Sequence, residues 1–286
     1  MLTSVLVSVD LSPNADRVWS RVARLPLAPG ARVTLLHVVP KELAGSAQLR
    51  AVDDATDALY ALTSRGPTEL LGRCEIERLV LIGEPSKRIG EQVKKRRAEL
   101  VVLGRGPGRA FRDRALGSTA ERVLRAGQTP VLVVRRLARH AYEKALAALD
   151  VDDAAAKAVA FSRKVLGAVG ALDVVHATSA PFRGQFYPSL GADYARDYER
   201  RHQRTRLAEL KRSIKRARPG VAVKFHGRTG PARVVVPEAV SSFSADLLIL
   251  GTHARSQMGA AVLGTVAGDL LREVPCDVLV VPAGRI

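Results

Sequence analysis

Two stretches of this 286-residue chain carry residue types suited to holding an anion. Each is an apolar run closed by glycine, then a small, polar loop, then a glycine–hydroxyl pair. One runs Leu100–Leu103, Gly104 and Gly117-Ser118; the other runs Leu247–Leu250, Gly251 and Gly264-Thr265. Glycine lets the backbone come close to a ligand, and unpaired N–H groups at a helix start point at negative charge. A carboxylate also recurs at the end of an apolar strand, Asp10 after Val5–Val9 and Asp150 after Ala145–Leu149, where it can only accept hydrogen bonds when ionised. This chemistry is capture of a phosphorylated ligand. The chain has no Walker lysine motif, no G-x-S-x-G elbow and no clustered Cys/His ligands, so no motif supports catalysis beyond slow hydrolysis by a bound water.

The elements that must position these residues come in two copies. Gly104 and Gly251 lie 147 residues apart, as do Gly117 and Gly264, and so do the apolar runs Val131–Val134 and Val278–Val281. Nearer the start of each copy the offset is shorter, 140 for Asp10 and Asp150 and 139 for His37 and His176. A tandem duplication with a short insertion in the second copy accounts for both offsets. We place the domains at 1–138 and 139–286, joined by a linker over Leu137–Tyr142.

In the first copy, strands are expected at Val5–Val9, Val33–Val39, Ile76–Ile82, Leu100–Leu103 and Val131–Val134. Helices alternate with them. The first starts at Ser12-Pro13, with Ser12 as cap, and ends at Pro26 and Pro29-Gly30. The second spans Lys41 to about Leu71, with a break at Ser64–Pro67. Right-handed crossovers turn such alternation into a doubly wound parallel sheet covered on both faces, with ligands at the carboxyl ends of strands where their order reverses. The runs Val131–Val134 and Val278–Val281 should be the last strand of each sheet. Edges this apolar are usually covered, so the copies are expected to pack there as an intramolecular pseudo-dimer, with homodimerisation left open.

Composition sets further bounds. Apolar residues make up 47% of the chain but aromatic ones only 4%, which favours an α/β core built from Ala, Val and Leu. The two cysteines, Cys74 and Cys276, lie outside any C-x-x-C spacing, and the N-terminus has no basic leader, so a reducing cytoplasm is expected. No run approaches the length of a membrane span. The net charge of +17 raises nucleic acid and phosphorylated ligands as partners.

Taken in order, the motifs resemble the universal stress protein family, in its tandem two-domain form, over nearly the whole chain. The family's ATP-binding loop reads Gly, two residues, Gly, nine residues, then Gly-Ser or Gly-Thr. Here Gly251-Thr-His-Ala254, nine residues and Gly264-Thr265 match with Ala254 for the second glycine, and Gly104-Arg-Gly-Pro107, nine residues and Gly117-Ser118 match with Pro107 there. The segments VLVSVDLS, VTLLHVVP and GTHARS also look like the family. The resemblance implies two tandem five-stranded domains of adenine nucleotide alpha hydrolase-like, Rossmann-like fold. It implies ATP as ligand, with or without Mg, and a regulatory role in the stress response. It also implies site residues: Asp10 or Asp150 on adenine, Val38 or Ala177 meeting the base through backbone, and the glycine loops on ribose and phosphates. Those loops supply Gly104, Gly106, Gly117 and Ser118 in the first copy, and Gly251, Ala254, Arg255, Gly264, Thr265 and Val266 in the second.

The departures bear on which copy binds. Pro107 has no N–H to give a phosphate, although Gly106 and Gly108 flank it. Ser118 and Glu121 have capping-box spacing, which would use that hydroxyl locally. Ala254 keeps its N–H. The second loop therefore ranks slightly ahead. An interaction module with both sites degenerate, and a basic nucleic-acid binder, stand as alternatives. His37 and His176 read as satisfied core histidines, while His253 on the second loop is a candidate for ligand contact. Between Arg196 and Arg218 ten residues are Lys or Arg and three are acidic, with Leu207, Leu210 and Ile214 at helical spacing. That reads first as the solvated face of a packed helix.

Overall fold

The computed structural model describes residues 1–66, 70, 72–106, 118–127, 129–167, 172–179, 192–216, 220, 222–252 and 264–284. In the first copy the strands are β1 (Leu2–Ser8), β2 (Leu27–Val39), β3 (Cys74–Ile82), β4 (Leu100–Gly104) and β5 (Val131–Val134). Its helices are α1 (Asn14–Val22), α2 (Gly45–Ser64), α3 (Pro85–Arg96) and α4 (Ser118–Ala126). The second copy has β6 (Ala145–Ala148), β7 (Leu172–Thr178), β8 (Val223–Thr229), β9 (Leu247–Thr252) and β10 (Asp277–Pro282). Its helices are α5 (Asp153–Leu166), α6 (Ala192–Arg216), α7 (Ala232–Ser242) and α8 (Thr265–Glu273).

The sheet runs β3-β2-β1-β4-β5-β10-β9-β6-β7-β8. Pairing is parallel within each half and antiparallel only where β5 meets β10, with Leu132 opposite Leu279. The expected edges are thus covered by each other, and the two halves form a pseudo-dimer with one continuous sheet. The apolar residues of the strands alternate faces, so the cores also run across the boundary. One face collects Val5, Val7, Leu132, Ala145, Ile249 and Leu279, and the other Leu6, Val101, Val133, Leu146, Leu248 and Val278.

Local sequence sets the helix starts that follow the two aspartates. The Ser12 hydroxyl accepts the Asn14 N–H at 3.2 Å, as expected of a cap. In the second copy Asp152 does this, accepting the Ala155 N–H at 2.8 Å. One expectation is corrected at β2. Pro29-Gly30 does not separate helix from strand but lies inside the strand. The register jumps from Leu2–Leu27 to Ser4–Arg32, and Gly30 sits at φ +72° with its N–H on the Arg73 carbonyl. A bulge tolerates a proline and a left-handed glycine that regular pairing would not. Helix α2 starts at Gly45, later than expected, and ends at Ser64, where the expected Ser/Gly/Pro break begins; Leu70 is again helical, and positions 67–69 and 71 lie outside the described residues.

The linker is built into the junction. Asp277, fully buried at the start of β10, accepts the Arg135 and Arg136 N–H groups at 2.8 and 3.2 Å, Arg21 Nε at 3.0 Å and the Tyr142 hydroxyl at 2.7 Å. Arg21 lies over the Tyr142 ring at 3.7 Å and also donates to the His140 carbonyl at 3.1 Å. Burial, then the negative charge of Asp277, push the Tyr142 hydroxyl well above the usual tyrosine range, so it stays a donor. Outside this cluster, Glu121 of α4 bonds Arg272 of α8 at 2.8 Å and Glu99 bonds Lys164 of α5 at 3.0 Å. Glu121 thus reaches across to the other half.

Removing Asp277 strands a buried guanidinium and two junction amides. Asp277→Ala should lower the unfolding free energy by about 3–5 kcal/mol, and Tyr142→Phe by about 1–3 kcal/mol, the range for a hydrogen bond to a charged group. Urea denaturation followed by circular dichroism measures both.

Candidate functional site

In each half the strand order reverses between the first and fourth strands: β1 lies between β2 and β4, and β6 between β7 and β9. The crevice beyond their carboxyl ends is where an open α/β sheet binds ligands. A cavity lies at each. The first, about 380 Å³, is lined by Asp10, His37, Val38, Gly104, Arg105 and Gly106, with Thr119 of α4. The second, about 270 Å³, is lined by Asp150, His176, Ala177, Gly251, Thr252 and the start of α8 at Gly264, Thr265, Val266 and Ala267. The fold therefore brings together Asp10, Val38, Gly104 and Gly106 in one half and Asp150, Ala177, Gly251, Gly264, Thr265 and Val266 in the other. Ser118 opens α4 beside Thr119. Gly117, Pro107, His253, Ala254 and Arg255 lie outside the described residues.

The histidines hold the strand ends in place. His37 Nδ1 lies 2.9 Å from the Val9 carbonyl and His176 Nδ1 2.9 Å from the Leu149 carbonyl, each the residue before the aspartate. The carbonyl can only accept, so the ring donates from Nδ1 and fixes where the next residue emerges. Both are satisfied as expected, but only His176 is fully buried, while His37 is half-buried at the cavity wall.

The aspartates differ in their surroundings. Asp10 Oδ1 accepts the Ser12 N–H at 3.1 Å and hydroxyl at 2.7 Å, a turn closed within its own loop. Asp150 Oδ1 accepts the Val151 N–H at 2.7 Å and Arg206 Nη2 at 3.3 Å, and Arg206 also holds Glu209 at 3.0 Å. The sequence reading did not single out Arg206. Its signal was positional: it lies next to Leu207 and four residues before Leu210, so it flanks the face that α6 packs down, where Leu210 and Ile214 are fully buried.

The glycines divide by role. A side chain at Gly251 would put its Cβ 3.0 Å from the Ala154 Cβ, and one at Gly104 would sit 3.3 Å from Val18 Cγ2. Each leaves little room for a side chain where a helix packs on the strand end, whether or not a ligand is present. Gly106 stands at φ +87°, a conformation that favours glycine. At Gly264 a Cβ would meet nothing within 4 Å, so the backbone there faces open space. The N-cap of helix α8, Gly264, has no side chain to cap it, and the first residues of the helix, whose N–H groups have no partner within it, line the cavity. Beside them Thr252, 3% exposed, has a buried hydroxyl with no hydrogen-bond partner among the described residues. A buried, unsatisfied hydroxyl is costly and calls for a partner. Sequence reasoning passed over Thr252 because a threonine after a strand glycine is unremarkable until its burial is known.

The first cavity is the more basic. Arg105 lines it, and the charge of Arg105, after burial, pulls the nearby Arg135 down to about 10, which leaves Arg135 cationic at neutral pH. Among the described residues no group of three or more His, Cys, Asp or Glu is placed to hold a metal ion. Among the described residues no helix is long and apolar enough to cross a membrane.

The model of the universal stress protein family matches residues 1–135 and 141–282. No curated protein matches the chain. Among solved structures, a universal stress protein from Archaeoglobus fulgidus aligns with a TM-score of 0.66 at 16% identity, covering 98% of this chain and 96% of that one. A protein of unknown function from Pseudomonas aeruginosa aligns with a TM-score of 0.60 at 21% identity, covering 98% and 92%. At these identities the likeness is one of fold.

The contrast between the two second-copy glycines is testable. Gly251→Ala should cost about 1–3 kcal/mol of stability, as overpacking does, whereas Gly264→Ala should cost less than about 1 kcal/mol. Chemical denaturation of the two variants decides.

Proposed function

The chain belongs to the universal stress protein family, and on that premise we propose that it is a regulator in the stress response that binds ATP, with the second cavity as its main site. The observation that carries this reading is the buried Thr252 hydroxyl, without a partner among the described residues and beside the start of α8, where the N-cap Gly264 has no side chain to cap the helix. A phosphate or ribose oxygen would satisfy that hydroxyl, and the N–H groups of Thr265 and Val266 would donate to phosphate. Asp150 would accept from the adenine amino group through the oxygen not engaged by Arg206, and Ala177 would meet the base through its backbone. Ala254 and Arg255 complete the phosphate loop in this reading. The first cavity, with Asp10, Val38, Gly104, Gly106, Gly117 and Ser118, is a second, weaker site. A magnesium ion would arrive on the phosphates, since its usual ligands are carboxylates together with phosphate oxygens and water. The role is regulatory: occupancy changes the surface a partner meets, and no residue is assigned to bond breaking.

A second reading is favoured by one contact. Arg206 already engages Asp150, and a module with degenerate sites would keep such an ion pair as packing.

Titration calorimetry with ATP separates the two. We expect saturable binding that Thr252→Val weakens about five- to tenfold, the loss of one hydrogen bond worth about 1 kcal/mol. Val keeps the side-chain volume and removes the unsatisfied hydroxyl, so the stability of the ligand-free protein should hold or rise. Protein that releases no nucleotide on denaturation and shows no heat with ATP would leave the degenerate module as the reading that stands.

A further inference from the structure

Helix α6 spans 25 residues, about 37 Å at 1.5 Å per residue. Leu210 and Ile214 anchor it to the sheet, fully buried, beside Val223 and Phe225 of β8. The opposite face is exposed and has a regular order. Tyr194, Tyr198, Arg201, Arg212 and Lys215 fall on it at alternating steps of four and three, with only Thr205 and Ala208 between. Side chains so spaced lie along one side of a helix. The tyrosines, 52% and 40% exposed, stand at one end. The Tyr198 and His202 rings lie nearly parallel, 9° apart, with centroids 6.2 Å from each other. The cations stand at the other end.

The charge on this face is not cancelled locally. From Arg200 to Arg216 the helix holds eight Lys or Arg and one acid, Glu209. Arg206 is turned inward to Asp150 and Glu209, and Arg201 pairs with Asp197. Arg204, Arg212, Lys215 and Arg216 remain exposed. Helix α6 lies against β8, the outermost strand of the sheet, whose Lys224 and Arg228 are also exposed. Positive charge thus continues from the helix onto the free sheet edge. Lysine there also blocks edge-to-edge pairing, but that protection explains neither exposed tyrosines nor a row of arginines on the helix.

We propose that the outer face of α6 binds single-stranded nucleic acid, its arginines and lysine on the phosphates and Tyr194 and Tyr198 stacked on bases. Exposed aromatic faces joined to a cationic track are what unpaired strands require, because their bases are open to stacking. A duplex offers phosphates but no free base faces. An anionic membrane would need an apolar helix face turned outward, and the apolar face of α6 is buried in the core. None of the residues of this face lines either of the two cavities.

The test is fluorescence anisotropy of the full-length protein with labelled single-stranded RNA and DNA of about 20 nucleotides, longer than the 4–16 of usual single-strand footprints. We expect affinity that falls steeply with salt. Arg212→Glu/Lys215→Glu/Arg216→Glu should weaken it at least tenfold, and Tyr194→Ala/Tyr198→Ala by about tenfold. The control reverses three exposed lysines on and beside α3, Lys87→Glu/Lys94→Glu/Lys95→Glu, with the same change in net charge; affinity should stay within about twofold of the parent, since the screening length is about 10 Å at 0.1 M salt. The proposal is overturned by no binding, by equal losses from both triple variants, by a duplex bound as tightly as the single strand, or by phosphatidylglycerol vesicles bound in preference to either.

Discussion

The structure depends on a buried carboxylate at the seam between its halves. Two five-stranded sheets meet edge to edge through three pairs of residues on β5 and β10. Apolar pairing alone leaves the chain crossing that seam, with its exposed amides, unsatisfied. Asp277 resolves this by accepting the amides of Arg135 and Arg136 while binding Arg21 and Tyr142. One side chain therefore ties β10, α1 and the linker together. With the seam fixed, the two cores become continuous and the two cavities lie on one sheet.

Much of this organisation was legible from the sequence because duplication prints a pattern twice. The constant offset of 147 located the strands and loops, and alternation of strand and helix gave the parallel order within each half. The apolarity of Val131–Val134 and Val278–Val281 pointed to mutual cover. The seam chemistry was not legible. Asp277, Arg21 and Tyr142 are far apart in sequence and lie at positions where charged and polar residues are ordinary. Only the antiparallel meeting of β5 and β10 brings them together. Pro29-Gly30 misled for a related reason: the same residues that end a helix also make a bulge, and pairing with β1 decides between them.

The site shows the same division. Glycine spacing and the strand-end aspartates marked the crevices, and the structure gathers those residues around two cavities. What separates the cavities is supplied by neighbours. Ser12 turns Asp10 within its own loop, while Asp150 meets Arg206 from a helix that follows the inserted residues. The first cavity carries Arg105, whose charge acts on Arg135; the second carries a buried hydroxyl without a partner among the described residues. Duplicated sequence thus gives equal frames but unequal chemistry, because most of each site's polar surroundings come from outside the repeated motif. Helix α6 belongs to the same account, since it places Arg206 against Asp150 and leaves Arg204, Arg212, Lys215 and Arg216 exposed.

The account's central claim is that main-chain amides at the start of α8, with Thr252 beneath them, hold a nucleotide's phosphates. A crystal structure grown with ATP tests it most directly. The account predicts triphosphate density against Gly264, Thr265 and the Thr252 hydroxyl, with the base beside Asp150 and Ala177. A second cavity filled by the protein's own side chains, with ATP present in the crystal but bound elsewhere, would contradict it.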